Sequence, residues 1–320
     1  SRGQHGDPRR LMGKGRDGMT ALLFYVQASV AAAIIGLITS WYDRKLTARI
    51  QWRVGPPFLQ PFFDFLKLLG KETIVPAAAS RTTFIFAPLF GLASVGVVAA
   101  ILMKQAFYPG TSFVGDLIVV IYFLAMPPAA TIIGGFASGN PLASTGASRE
   151  MKLILAYELP FILAIITAII KTGTIEIGQI VSFQAANGSL ALSLSGALAL
   201  AVGFICMQAK LGFVPFDMAE AETEIMAGTF IEYSGPLLAA LKLTKFMMFT
   251  VMPCFLITLF MGGFSSGIIP GLLKYIVLVT LVVLVKNTNP RLRIDQAVRF
   301  FWGPVTGIAI AAIVLAFCGY

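Results

Sequence analysis

The hydrocarbon core of a bilayer is about 30 Å thick, and a helix needs about 20 mainly apolar residues to cross it. Eight segments of this chain meet that length, at roughly 21–41, 84–104, 115–136, 153–171, 190–212, 246–262, 269–286 and 303–319. In lipid every backbone amide must find a partner within the protein, so such runs become helices. The predicted fold is all-α, a polytopic membrane protein of about eight transmembrane helices. Only 12% of the residues are charged and 57% are hydrophobic, where a soluble domain is about 25% charged. Disorder, coiled coil and collagen are excluded on the same ground. Small residues and prolines recur inside the runs, among them Pro127, Pro128, Pro160 and the pair Gly134 and Gly135. Small residues let helix backbones approach closely in lipid. No fixed-period repeat and no linker interrupts the series, so residues 19–320 read as a single transmembrane domain.

The net charge of +9 is placed asymmetrically. The loops after the first, third, fifth and seventh runs hold most of the bases, including Arg81, Arg149, Lys152, Lys210, Lys242, Lys245, Lys286, Arg291, Arg293 and Arg299, whereas the opposite side has Lys104, Lys171 and Lys274. The positive-inside rule then makes the first set cytoplasmic, in a cytoplasmic (inner) membrane, and puts both termini outside. A basic rim facing anionic lipid explains the charge, and no basic face of the size nucleic acid needs can be drawn. The polar basic tail of residues 1–18 opposes this orientation, with Arg2, Arg9, Arg10, Lys14 and Arg16 against Asp7 and Asp17. No small-residue cleavage site follows its apolar neighbour. Met19 is read as the native start, residues 14–18 being what a purine-rich ribosome-binding sequence would encode. Cys206, Cys254 and Cys318 lie far apart in apolar runs, and the one histidine is His5. With no CxxC pair and no imidazole set, no iron–sulfur, zinc or haem ligands can be assembled. The chain is expected to hold no cofactor, metal or catalytic centre of its own.

Two loops carry information. Residues 41–76 open with Asp43, Arg44, Lys45, Arg49 and Arg53, are broken by Gly55, Pro56 and Pro57, and continue with Phe62, Phe65, Leu66 and Leu69 at helical spacing, with Asp64, Lys67 and Lys71 on the other face. That pattern predicts an amphipathic interfacial helix. It serves equally as a lipid anchor or as a docking platform for a cytoplasmic partner. Residues 210–236 concentrate Asp217, Glu220, Glu222, Glu224 and Glu232, with no base between Lys210 and Lys242. If residues 217–226 are helical, Asp217, Glu220 and Glu224 share one face and repel. Partial burial would then hold some of them protonated, as a proton relay requires. A solvated acidic loop is the plainer alternative, opposed by the interleaved Phe213, Val214, Phe216, Ile225, Met226, Phe230 and Ile231. Finally, Glu158 lies well inside an apolar run just before Pro160. A carboxyl at membrane depth costs a few kcal/mol on insertion scales and faces protein or a water-filled cavity; a structural acid paired with a neighbouring helix is the other reading. Glu150 and Lys152 flank the start of that run and are expected at the interface.

At these segments the sequence resembles a known family. Asp43-Arg44-Lys45, Gln51, Arg53, Gly55-Pro56, Leu59-Gln60-Pro61, Asp64, Lys67 and Lys71-Glu72 resemble the first-loop signature of the H-type membrane component (mitochondrial component 1) of NADH:quinone oxidoreductase. Pro215-Phe216-Asp217, Ala219-Glu220-Ala221-Glu222, Glu224, Gly228 and Glu232-Tyr233-Ser234-Gly235 resemble its acidic-loop signature, and Tyr157-Glu158 its intramembrane glutamate motif. The likeness spans about residues 20–318. The compact run Gly55 to Pro61 and the run Ala219 to Ile225 look like the branch of membrane-anchored, energy-converting nickel–iron hydrogenases and formate hydrogenlyase. Asp43 stands where glutamate is more frequent.

The resemblance implies a non-redox subunit at the joint of a modular complex. Its partners would be hydrogenase large and small subunits, a ferredoxin-like iron–sulfur subunit and antiporter-like membrane subunits, with iron–sulfur clusters and a nickel–iron centre held in those partners. Glu158, Glu150, Asp217, Glu220, Glu222, Glu224 and Glu232 would form the proton pathway that couples electron transfer to proton or sodium-ion movement. Asp43, Arg44, Arg49, Arg53, Lys67 and Lys71 would dock partners or border a quinone cavity or its vestige. The alternatives are a quinone-site subunit of a complex I relative, a stand-alone secondary transporter and a purely structural anchor.

Overall fold

The computed structural model describes residues 8–108, 112–265 and 267–319, and of residues 8–18, 222 and 223 the backbone alone. Among the described residues every regular element is helical: α1 Pro8–Ile50, α2 Gln60–Leu69, α3 Arg81–Phe107, α4 Asp116–Ala137, α5 Pro141–Thr172, α6 Ile177–Asn187, α7 Leu194–Lys210, α8 Glu222–Ile225, α9 Gly235–Phe260, α10 Ile268–Thr288, α11 Ile294–Phe300 and α12 Thr306–Phe317. A π-helical turn at Phe301–Val305 joins α11 to α12. It contains Pro304, whose missing N–H interrupts the α-helical ladder. Seven rods are long and apolar enough to cross a membrane: α1 from Met19, α3, α4, α5, α9, α10 and the joined α11–α12. The protein is an integral membrane protein. The remaining predicted run, 190–212, yields a helix of only 17 residues, α7. It starts where Ser193 accepts from the Gly196 amide and stops before Gly212, whose φ of 61° a helix cannot use.

Two helices start well before their apolar runs. Asn140 caps α5 by accepting from the Leu142 amide, with Pro141 in the first turn, which fixes the start there. Glu150 and Lys152 are therefore inside a helix rather than at its mouth. α9 likewise begins at Gly235. Of the tail, residues 1–7 lie outside the described residues, and the backbone of 8–18 continues α1.

The hub is α9, buried over most of its length and packed against α1, α3, α7 and α10. Close approach is built in: a Cβ on Gly36 of α1 would stand 2.5 Å from the Phe246 carbonyl oxygen. On the face away from the charged loops, Gln184 ties the ends of helices together. Its Nε2 donates to the carbonyls of Thr258 and Leu259, and its Oε1 accepts from Gly262 and Leu190 amides. Asp116 accepts from the Ile177 amide there, at 2.9 Å. The opposite face carries α2, the start of α5, the end of α7 and the chain from Leu211 to Ser234.

Candidate functional site

Lys210, the last residue of α7, meets Glu158 of α5. Glu158 is 17 residues into α5, about 26 Å below its start at the helical rise. The short α7 therefore leaves a deep recess beside α5 and α9, and the acidic chain that follows folds into it. Leu211, Phe216, Met218, Ala219, Ala221 and Ile225 are buried. The backbone lies so close to α5 that a Cβ on Gly146 would stand 2.9 Å from both the Ala219 carbonyl oxygen and the Thr229 amide. Tyr233 closes the far end. Its ring stacks on Phe84 at 4.1 Å and its hydroxyl donates to the Phe84 carbonyl. Burial pushes that hydroxyl well above the ordinary tyrosine range.

Between residues 217 and 226 only the single turn α8 is helical, so Asp217, Glu220 and Glu224 do not share a face. The expected mutual repulsion is replaced by pairing, each acid with a base from a different element. Lys245 of α9 donates to both oxygens of Glu220 at 2.7 Å. Arg291, in the link after α10, reaches Asp217 at 2.8 Å. Arg149 of α5 reaches Glu224 at 2.6 Å. Glu232 accepts from the side-chain amide of Asn140. The side chain of Glu222 lies outside the described residues.

The Lys210 side chain is 1% exposed. Its Nζ stands 3.0 Å from Glu158 Oε2 and donates to Oε1 at 3.4 Å, over the rings of Phe161 at 4.5 Å and Tyr157 at 5.5 Å. The cation that answers Glu158 is thus one that the sequence assigns to the basic rim. Lys245 and Lys286 also turn inward, flanking the Phe213 ring at 5.7 and 5.0 Å. Lys286 holds Asp43 of α1 at 2.8 Å.

Three cavities connect these pairs. The innermost, about 60 Å³, is lined by Glu150, Lys210, Asp217, Glu220 and Lys245, and it has room for a few waters. Glu150 faces this interior rather than the interface expected for it. A second cavity of about 440 Å³ shares the Glu220–Lys245 pair and adds Asp43, Arg44 and Lys286. A third of about 270 Å³ is lined by Arg149, Glu224, Arg291, Arg293 and Asp295. The Asp217–Arg291 pair spans the two, Asp217 lining the first cavity and Arg291 the third. Paired carboxyls and bases thus line neighbouring cavities from the α1–α2 side, through the recess, to the α10–α11 link, with Lys210 reaching Glu158.

The first-loop residues divide. On α2, Asp64 pairs with Arg44 of α1 at 2.9 Å, while Leu66 and Leu69 are exposed, as an apolar face set into an interface requires. Burial raises the Asp64 carboxyl, but hydrogen bonds from Arg44 and Gln60 and the charges of Arg44 and Lys67 outweigh it and hold it below the ordinary aspartate value. Arg49, Arg53, Lys67 and Lys71 are exposed and line none of the three cavities. Trp52 and Val54, between the two arginines, are each 98% exposed. Among the described residues no group of three or more His, Cys, Asp and Glu is placed to hold a metal ion.

Comparison with known proteins gives the family. The profile of the NADH dehydrogenase family matches residues 23–317. The H component of the NADH-quinone oxidoreductase of Thermomicrobium roseum is 34% identical over 318 residues, covering 91% of this chain and 93% of that protein. Its counterpart in Dehalococcoides mccartyi is 33% identical, covering 92% and 85%. A chain in the structure of the membrane-bound sulfane sulfur reductase, an archaeal respiratory membrane complex, superposes with a TM-score of 0.83 at 29% identity over 93% of this chain and 99% of that one. The chain belongs to the NADH dehydrogenase family, as an H-type membrane subunit of a complex I-like oxidoreductase.

Proposed function

We propose that this subunit anchors the peripheral redox arm of an energy-converting complex of the nickel–iron hydrogenase branch, and couples its electron transfer to proton or sodium-ion movement. The observation that carries the reading is the set of paired carboxyls and bases lining neighbouring cavities beneath the charged face, with Lys210 reaching Glu158 inside the bundle. Paired acids bordering small wet cavities exchange protons readily when a neighbouring charge changes. Residues 19–320 act as one transmembrane unit with the charged face cytoplasmic and both termini outside. The arm docks there, over Arg49, Arg53, Lys67, Lys71 and the exposed Trp52 and Val54. The metals and the electrons belong to partner subunits: hydrogenase-like large and small subunits and a ferredoxin-like iron–sulfur subunit, with antiporter-like subunits beside this one in the membrane. Likeness to a chain of a sulfane sulfur reductase, together with the compact run from Gly55 to Pro61, supports a branch that is not built around quinone.

A second reading, quinone binding, is favoured by the 440 Å³ cavity between α1, the acidic segment and α9 and by kinship with components of NADH-quinone oxidoreductases. The test is made on the whole purified complex in liposomes. Glu158→Gln and Glu220→Gln each should abolish gradient-coupled turnover while the subunits still co-purify. Coupling that survives both changes refutes the ion-path reading. Co-purification of a large subunit with two CxxC pairs, and hydrogen evolution without quinone, support the hydrogenase branch; stoichiometric bound quinone and block by quinone-site inhibitors support the second reading.

A further inference from the structure

On the charged face, α1 ends in a turn that its own sequence works against. The Trp52 amide donates to the Arg49 carbonyl at 3.2 Å and the Arg53 amide to the Ala48 carbonyl at 2.7 Å. This pair of bonds closes a helix by turning one residue into the left-handed region, a place ordinarily taken by glycine because a Cβ there is strained. Here that residue is Trp52, at φ 58°. Its side chain gains no packing from the rest of the chain, since Trp52 is 98% exposed, as is Val54. The tip is nevertheless fixed in place. The chain runs back along α1, so that a Cβ on Gly55 would stand 3.1 Å from the Lys45 Cα, and Trp41 Nε1 donates to the Pro56 carbonyl at 3.3 Å. A large aromatic that disfavours the fold twice, through backbone strain and through exposed apolar surface, marks a binding anchor rather than a structural residue. Lipid is out of its reach. Arg44 of α1 pairs with Asp64 of α2, the helix set into the interface. From Arg44, α1 continues six residues to Ile50, about 9 Å at the helical rise. Trp52 therefore stands out beyond α2, on the side away from the apolar run of α1. Arg49 and Arg53 flank it in sequence, both exposed and without an ion pair among the described residues.

We propose that Trp52 is the residue by which the peripheral arm grips this subunit: its indole enters an apolar cleft on an arm subunit, and carboxylates at the mouth of that cleft meet Arg49 and Arg53. Tryptophan and arginine are the residues that most often dominate such contacts, an aromatic in a dry pocket with charges at its rim. The two unpaired arginines set the sign of the partner's surface and steer its approach. The inference rests on the anchoring reading above and names the kind of surface that the arm must present.

The test uses the whole complex in membranes. Hydroxyl-radical oxidation of Trp52, read by peptide mass spectrometry, should be about tenfold slower with the arm in place than after the arm is stripped with a chaotrope, because water is excluded around such an anchor. Oxidation equally fast in both overturns the proposal. So does protection that persists after stripping, which would put the indole in lipid. Trp52→Gly separates the grip from the turn. Glycine relaxes the left-handed residue, so the variant should still insert and join its membrane partners, yet the arm should dissociate about tenfold faster or more. Trp52→Phe should restore most of the hold. Arg49→Glu with Arg53→Glu should slow rebinding of the stripped arm and weaken its dependence on salt; rebinding as in the wild type would refute the acidic mouth. An arm held as tightly by Trp52→Gly as by the wild type overturns the proposal and leaves the anchoring reading standing. The footprint on the wild type decides the matter even where a variant fails to assemble. The anchoring reading fails instead if the wild-type chain co-purifies with no peripheral subunit.

Discussion

Lys210 and Glu158 form the most deeply placed ion pair, and each is there because the other is. Two charges taken out of water repay their desolvation only when geometry is good, and removing one partner alone is far worse than removing both. Lys210→Met should therefore destabilise the complex by about 3–5 kcal/mol, because it strands a buried carboxylate. Adding Glu158→Leu should recover most of that loss, as read from the Tm of the purified complex. A double variant as unstable as the single one would show that packing over Phe161 and Tyr157, rather than charge, sets the stability. Among the described residues the buried Tyr157 hydroxyl has no hydrogen-bond partner, so it does not compete for the pair.

Among the elements, α2 is held to α1 partly by the Arg44–Asp64 bridge, which is about 40% exposed on each side and so contributes at most about 1 kcal/mol. The Asp64 carboxyl is lowered in the folded protein. The bridge is therefore fully present above the ordinary aspartate range and is lost as pH falls through the lowered value. A spin-label pair across α1 and α2 should hold its distance from neutral pH down through that ordinary range and broaden only below it. Loosening near neutral pH would refute the assignment. The helices are legible in the sequence because twenty apolar residues in lipid have few alternatives. Their ends are not. Asn140 with Pro141 starts α5 in a stretch too polar to look membrane-embedded, and Ser193 starts α7 inside what reads as one apolar run. The acids of the site are visible in their clustering, but their partners are not. Arg149, Lys245 and Arg291 are far away in sequence, and nothing local shows that a lysine at the end of an apolar run turns inward. The amphipathic face of α2 is legible in its spacing, but the Arg44–Asp64 bridge that ties it to α1 is not.

For the whole molecule, the acidic segment is an inward fold of the charged surface rather than a loop above it. Water should reach the recess as far as Lys210 and no further. Phe230 borders both of the cavities that meet at the Glu220–Lys245 pair, whereas Cys206, one turn beyond Lys210 along α7, is fully buried. In membranes, a hydrophilic maleimide applied from the charged side should label Phe230→Cys and leave the native Cys206 untouched. Labelling of Cys206 would mean that α7 and its neighbours do not seal.

The shortness of α7 also decides where the electric field acts. Wherever a wet, ion-paired recess penetrates a bilayer, the transmembrane voltage drops across the insulating part that is left, which here is the 17-residue depth of one helix. The pairs at Asp217, Glu220 and Glu224 then stand at nearly the potential of the adjoining solution, whereas a proton leaving Glu158 toward the far side crosses the drop. That step exchanges up to about 2.3 kcal/mol with every 100 mV of membrane potential. Redox events above the membrane can thus rearrange the outer carboxyls against little electrical load, and the voltage is met only at the last of them.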